Sequence, residues 1–110
     1  MKSDEVYLRY VLECIRRIEE DTADGKVVFL SSRRHHDAVL RNLQTMSETM
    51  QRLSVPMKTA HPEIEWDRIA AFRNVLVHDY LGIDLELIWA TVIVNVPQLK
   101  RQVLLILGEA

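Results

Sequence analysis

The sequence predicts an all-α fold, a bundle of four to five helices, and three observations carry that reading. Every long segment repeats its apolar residues with helical period, and strand-like alternation is missing. Gly and Pro number three each, too few for a turn-rich β architecture. The chain has 110 residues, 48% hydrophobic and 27% charged, which fits one globular domain over 1–110.

Ser3 or Asp4 can cap the first helix. Tyr7, Val11, Cys14, Ile15 and Ile18 then recur at i, i+4, i+7, i+8 and i+11, one face of that helix. Thr22-Ala23-Asp24-Gly25 ends it, with Gly25 available for a left-handed turn. Lys26 to Leu30 reads as one or two helical turns. Ser31-Ser32 offers a cap for a second long helix, roughly Ser32 to Leu53. Its seam of Val39, Leu43, Met46, Met50 and Leu53 steps by four, three, four and three, the spacing of helix-on-helix packing. Ser54 to Glu65, with Pro56 and Pro62, reads as an irregular connection. A third long helix starts at Glu65 or Trp66 and runs to about Tyr80. Gly82 ends it, and Asp84 caps the last helix, Leu85 to about Leu107, which Pro97 is expected to bend or break. Apolar residues nearly encircle that last helix, Leu87, Val94 and Leu105 among them, so a second copy of the chain is expected to cover part of it as a homodimer.

Composition narrows the function. Fourteen Lys and Arg against sixteen Asp and Glu leave a net charge of -2, so any contact with nucleic acid must come from a local patch. Cys14, the single cysteine, excludes an internal disulfide framework and a multi-Cys zinc site, and reads as a small buried thiol. His35 and His36 are adjacent and lack the i, i+4 spacing of a helical metal pair, so no metal is expected. The longest apolar run, Leu87 to Val94, falls far short of the roughly 20 residues of a membrane span. The opening MKSDEVYLRYVLE places acids where a signal peptide is apolar; a cytoplasmic protein without a membrane partner is expected.

The chemically informative stretch is Arg73-Asn74-Val75-Leu76-Val77-His78-Asp79-Tyr80, where polar groups interrupt an apolar helix. Asn74 and His78 at i, i+4 share a face, so the amide can hydrogen-bond the imidazole and set its tautomer. Arg73 and Tyr80 at i, i+7 are nearly eclipsed, whereas Arg73 and His78 lie about 140° apart. An arginine and a histidine suit phosphodiester chemistry: imidazole moves protons near neutral pH and guanidinium offers a planar, permanently charged fork to phosphate. One chain supplies one such histidine, and a twofold dimer supplies two. Spacing alone does not separate this from a helix whose Arg and His satisfy local hydrogen bonds. Arg41-Asn42 starts the same pattern, but Met46 stands where a histidine would complete it.

RNVLVHDY, followed by LGIDLELIW, resembles the HEPN superfamily and, more closely, HepT-type toxins. The resemblance extends to YLRYVLECIRRIEE, to DAVLRNLQ with Glu48 and Arg52-Leu53-Ser54, and to HPEIEWDRIAAFRNVLVHDY. The family pattern of Arg, four residues, His, one residue, Tyr is met by Arg73, His78 and Tyr80. The resemblance implies a HEPN-type helical homodimer that cleaves RNA, tRNA or mRNA, without a metal ion or organic cofactor. It implies Arg73 and His78 as the catalytic pair with Asn74 beside them. It further implies a minimal nucleotidyltransferase (MNT) antitoxin that silences the toxin by AMPylation of Tyr80; ATP and Mg²⁺ belong to that partner. One departure is Met46-Ser47-Glu48-Thr49, where relatives commonly carry an Ile-Gly-Glu-Ala run. Ser for Gly there bears on close helix approach and on the shape of the cleft.

Arg33, Arg34 and Arg41, with His35 and His36, form a basic cluster that can grip an RNA backbone or simply remain solvated. Trp66 and Trp89 read as core anchors, Asp79 as a surface acid. The rival to the nuclease is a non-catalytic helical module whose 73–80 stretch binds a nucleotidyltransferase partner or a nucleotide.

Overall fold

The computed structural model describes residues 3–110, and for Tyr80 the backbone alone. Its described residues form six α-helices: α1 (Asp4–Asp21), α2 (Lys26–Ser31), α3 (Arg33–Gln51), α4 (Val55–Ala60), α5 (Trp66–His78) and α6 (Leu85–Ile106). A 3₁₀ turn, Tyr80–Gly82, joins α5 to α6.

Local chemistry fixes most of the boundaries. The Ser3 hydroxyl accepts the Val6 N–H at the start of α1, and the Ser32 hydroxyl accepts the His35 N–H at the start of α3. The Asp84 carboxylate accepts the N–H groups of Glu86 and Leu87 at the start of α6. Gly25 separates α1 from α2 at φ +93°, a conformation that strains residues with a Cβ.

Two expectations are corrected. The 54–65 connection is not wholly irregular, because Ser54 caps α4 and accepts the Met57 N–H at 3.2 Å. Pro56 sits in the first turn of α4, where a missing N–H costs nothing. This short element, together with α2, takes the count past four to five helices. Of the two outcomes expected at Pro97, bend or break, the break does not occur: α6 runs unbroken through it. Proline deprives the carbonyl four residues earlier of its donor. That residue is Ile93, which is exposed, so water can reach the freed carbonyl.

α3 packs on α1 along one side and on α5 along another, while α6 lies on α1 and α2 bridges α3 to α6. Asp4, at the start of α1, accepts the Ser54 backbone N–H at 2.9 Å and its hydroxyl at 2.6 Å, so α1 and α3 run antiparallel. Arg9 pairs with Glu109 and Lys100 with Glu19, which sets α6 antiparallel to α1. The predicted faces form the core: Val11, Cys14, Ile15 and Ile18 from α1 meet Val39, Leu43, Met46 and Met50 from α3. Burial pushes the Cys14 thiol pKa up, in keeping with an inert thiol. Phe29 closes one end of the core, its ring 5.4 Å from Trp89 and 6.1 Å from His36.

On α6 the apolar girdle divides. Ile88, Val92, Val96, Leu99 and Val103 are buried, while Leu87, Ile93, Val94 and Leu105 face outward. No helix among the described residues is long and apolar enough to cross a membrane.

Candidate functional site

Arg73 lies on α5 at the level of Glu48 on α3. Its Nε and Nη2 donate to Glu48 Oε2 at 3.2 and 3.0 Å, and its Nη1 donates to Asn74 Oδ1 at 3.3 Å. The arginine and glutamate side chains are each about one-third exposed, at 31% and 32%. A guanidinium has five N–H groups. Three are committed here, which leaves one on each terminal nitrogen, the number that a pair of phosphate oxygens takes up.

Five residues on, His78 occupies the last turn of α5 and is exposed. Its ring makes no hydrogen bond among the described residues. The expected Asn74–His78 bond is likewise missing among them; the amide oxygen of Asn74 accepts from Arg73 instead. Asn74 therefore steers the arginine and not the imidazole.

The alignment of Arg73 with Tyr80 also fails. It required the helix to continue, but α5 ends at His78, and the Asp79 N–H closes on the Val75 carbonyl at 3.0 Å. The backbone of Tyr80 starts the 3₁₀ turn. Its side chain, the expected AMP acceptor, lies outside the described residues.

Glu48 is the site residue that spacing arguments missed, since its partner is 25 positions away in the sequence. A signal was present: Arg41, Thr45, Glu48 and Arg52 stand at i, i+4, i+7 and i+11, a polar face opposite the apolar seam of the same helix. Arg34, two turns earlier, falls on this face, and the stripe spans about 60° of arc and roughly 27 Å. Arg33 lies about 100° away, so the basic cluster does not act as a unit. Arg33, Arg34, Arg41 and Arg52 are exposed and form no ion pair among the described residues.

Two hollows flank α3. The first lies between α3, α5 and α6, has a volume of about 140 Å³, and is walled by Leu43, Met46, Ile69, Phe72, Val96 and Leu99 with polar groups at its rim. None of Arg73, Asn74 and His78 lines it, so this cleft is not the site of the predicted chemistry. The second, of about 390 Å³, lies between α1 and α3, and Glu48 is part of its wall. Among the described residues no three His, Cys, Asp or Glu side chains form a metal-binding group.

Comparison with known proteins adds a family. A family model described as "Ribonuclease HepT-like" matches residues 11–106. A Thermococcus cleftensis protein named "Probable ribonuclease HepT" is 35% identical over 100 residues, covering 90% of this chain and 91% of that one. A Methanocaldococcus jannaschii protein, whose name joins a gamma-glutamylcyclotransferase to a putative RNase, is 34% identical over 109 residues. That match takes in 98% of this chain but 49% of the relative, so the chain spans about half of that protein's length. No solved structure matches the chain.

Proposed function

The chain belongs to the HepT-like ribonuclease family, and from that premise we propose that it is an endoribonuclease in which Arg73 and His78 carry the chemistry. The observation behind this reading is the presence on α5 of a clamped guanidinium with two N–H groups to spare and an exposed imidazole five residues further on.

The scissile phosphate sits on the two spare N–H groups of Arg73. A neutral His78 takes the proton of the RNA 2′-hydroxyl, and the 2′-oxygen bonds to phosphorus. The bond from phosphorus to the 5′-oxygen breaks, and that oxygen takes a proton from a protonated His78. The ends are a 2′,3′-cyclic phosphate and a 5′-hydroxyl. Guanidinium balances the charge that accumulates on the phosphorane, so a metal ion is not required. Asn74 and Glu48 hold the guanidinium in place.

Base and acid act in one event, which calls for two imidazoles. We read the active form as a homodimer whose cleft joins two α5 helices. In support, Val75, one turn before His78, is exposed, as are Leu81, at 91%, and Leu87 and Val94 on α6. Outward-facing apolar side chains in this number suit a surface that a second copy covers. Arg34 and Arg41, on the Glu48 face of α3, lead the RNA backbone toward the cleft, with Arg33 at its outer edge.

In this reading the chain is the toxin of a toxin–antitoxin pair and its substrate is tRNA or mRNA. An MNT-type nucleotidyltransferase transfers AMP from ATP to Tyr80: the phenol oxygen bonds to the α-phosphorus and pyrophosphate leaves. The added phosphate, two residues past His78, repels RNA from the cleft. Intact mass after co-expression should rise in AMP-sized steps that map to Tyr80.

The decisive experiment is cleavage in excess EDTA. The wild-type chain should leave 2′,3′-cyclic phosphate ends, and His78→Ala should abolish the reaction with helicity unchanged. Undiminished cleavage by that variant overturns the proposal.

A further inference from the structure

The hollow between α1 and α3 has the dimensions and wall chemistry of a ligand site, and the mechanism above does not use it. Its volume of about 390 Å³ falls in the range of small-molecule pockets. Tyr7, Tyr10, Thr45, Thr49 and Arg52 line it with Glu48. Tyr7 packs partly into the core, while Tyr10 is 40% exposed.

Hydrogen bonding gives the wall a polarity. The Thr45 hydroxyl donates to the Arg41 carbonyl at 3.0 Å, and the Thr49 hydroxyl donates to the Thr45 carbonyl at 2.7 Å. Both donors are spent inside α3, so each threonine offers a ligand only a methyl group and an accepting oxygen. Glu48 gives Arg73 its Oε2 alone, and its Oε1 meets no donor among the described residues. The wall thus sets three accepting oxygens beside two phenol rings, with the Arg52 guanidinium, which forms no ion pair among the described residues, at the edge. Glu48 belongs both to this hollow and to the Arg73 clamp, so the hollow opens one side chain away from the phosphate position.

We infer that the α1/α3 hollow is a nucleobase subsite, holding the base next to the scissile phosphate and favouring bases with an exocyclic amine. The inference rests on the ribonuclease reading and adds a source of sequence preference to it. The base stacks on a tyrosine ring, as single-stranded RNA does on aromatic platforms. Its amine donates to the threonine and glutamate oxygens, and Arg52 takes the neighbouring phosphate. Uracil presents a carbonyl where cytosine presents the amine, so these two bases, alike in ring size, isolate the preference.

The test is titration of the wild-type chain with 2′-O-methyl tetranucleotides, which lack the attacking hydroxyl and stay intact. Oligo-C should bind several-fold more tightly than oligo-U. Tyr10→Ala should weaken oligo-C binding by about tenfold, and Tyr10→Phe should leave it unchanged. In the unsubstituted chain, oligo-C should shift the Thr45 and Thr49 methyl resonances, a readout that needs no variant. Equal affinity for the two oligomers, or methyl resonances that do not move, overturns the subsite. Cleavage by Arg73→Ala and His78→Ala keeps the two proposals apart. If those variants cut RNA as well as wild type, the ribonuclease reading fails; if they are inactive and Tyr10→Ala binds normally, only the subsite falls.

Discussion

Arg73→Lys separates geometry from charge. Lysine keeps the positive charge and gives up the planar fork. In the wild-type chain three guanidinium N–H groups are committed to Glu48 and Asn74, and two remain for phosphate. An ammonium has three N–H groups on one nitrogen, and cannot hold Glu48 on one side while spanning two phosphate oxygens on the other. At least one charge-assisted hydrogen bond is lost in the transition state, worth about 1.5–3 kcal/mol. That corresponds to roughly a 10- to 150-fold fall in kcat/KM. The cost in stability is much smaller. Both partners of the Arg73–Glu48 pair are about one-third exposed, and partly solvated pairs contribute at most about 1 kcal/mol. A Tm drop of a few degrees is then expected. The assay is initial-rate cleavage of a fluorogenic RNA in EDTA, alongside a thermal melt. Cleavage by the lysine variant within about twofold of wild type would refute the fork argument, as would a loss of activity matched by the fraction unfolded at the assay temperature.

Leu87→Glu and Val94→Glu place a carboxylate on the outward face of α6 without touching the core. Either should yield a monomer by analytical ultracentrifugation, with cleavage lost; a fully active dimer would contradict the proposed interface. Phe29→Ala removes a fully buried ring that contacts Trp89 and His36, and should cost about 3–5 kcal/mol in urea unfolding. The Ser54 hydroxyl and backbone N–H hold the Asp4 carboxyl pKa below its ordinary value near 3.8. This contribution is complete above that value and fades as pH falls through the depressed folded pKa. Asp4→Asn should therefore be less stable than wild type at neutral pH, with the gap narrowing below about pH 4. A gap that stays constant with pH would exclude the linkage.

Much of the fold was legible because helix signals are local. Ser3, Ser32 and Asp84 cap where the spacing placed them, and the α1 and α3 seams are buried as read. The errors have local causes too. Pro56 marks a loop or a helix start equally well in sequence, and the Ser54 cap decides for the start. Pro97 does not interrupt α6, because the carbonyl it orphans lies on the solvent side. The candidate site divides along the same line. Arg73, Asn74 and His78 are neighbours in sequence, so their common helix was visible. Glu48 reaches Arg73 across the packing of α3 on α5, and no local pattern encodes that contact.

Because Glu48 meets Arg73 from a separate helix, rotational phase along α3 becomes part of the proposed site. One residue inserted between Arg41 and Glu48 would turn the carboxylate about 100° around the helix axis and leave the guanidinium unanchored. It would also carry Met50 and Leu53 out of the core. Length changes should therefore settle in the joints at Asp21–Gly25 and His61–Glu65, where no such phase is at stake, while the stretch from Arg41 to Arg52 tolerates exchange of side chains but not a change in their number.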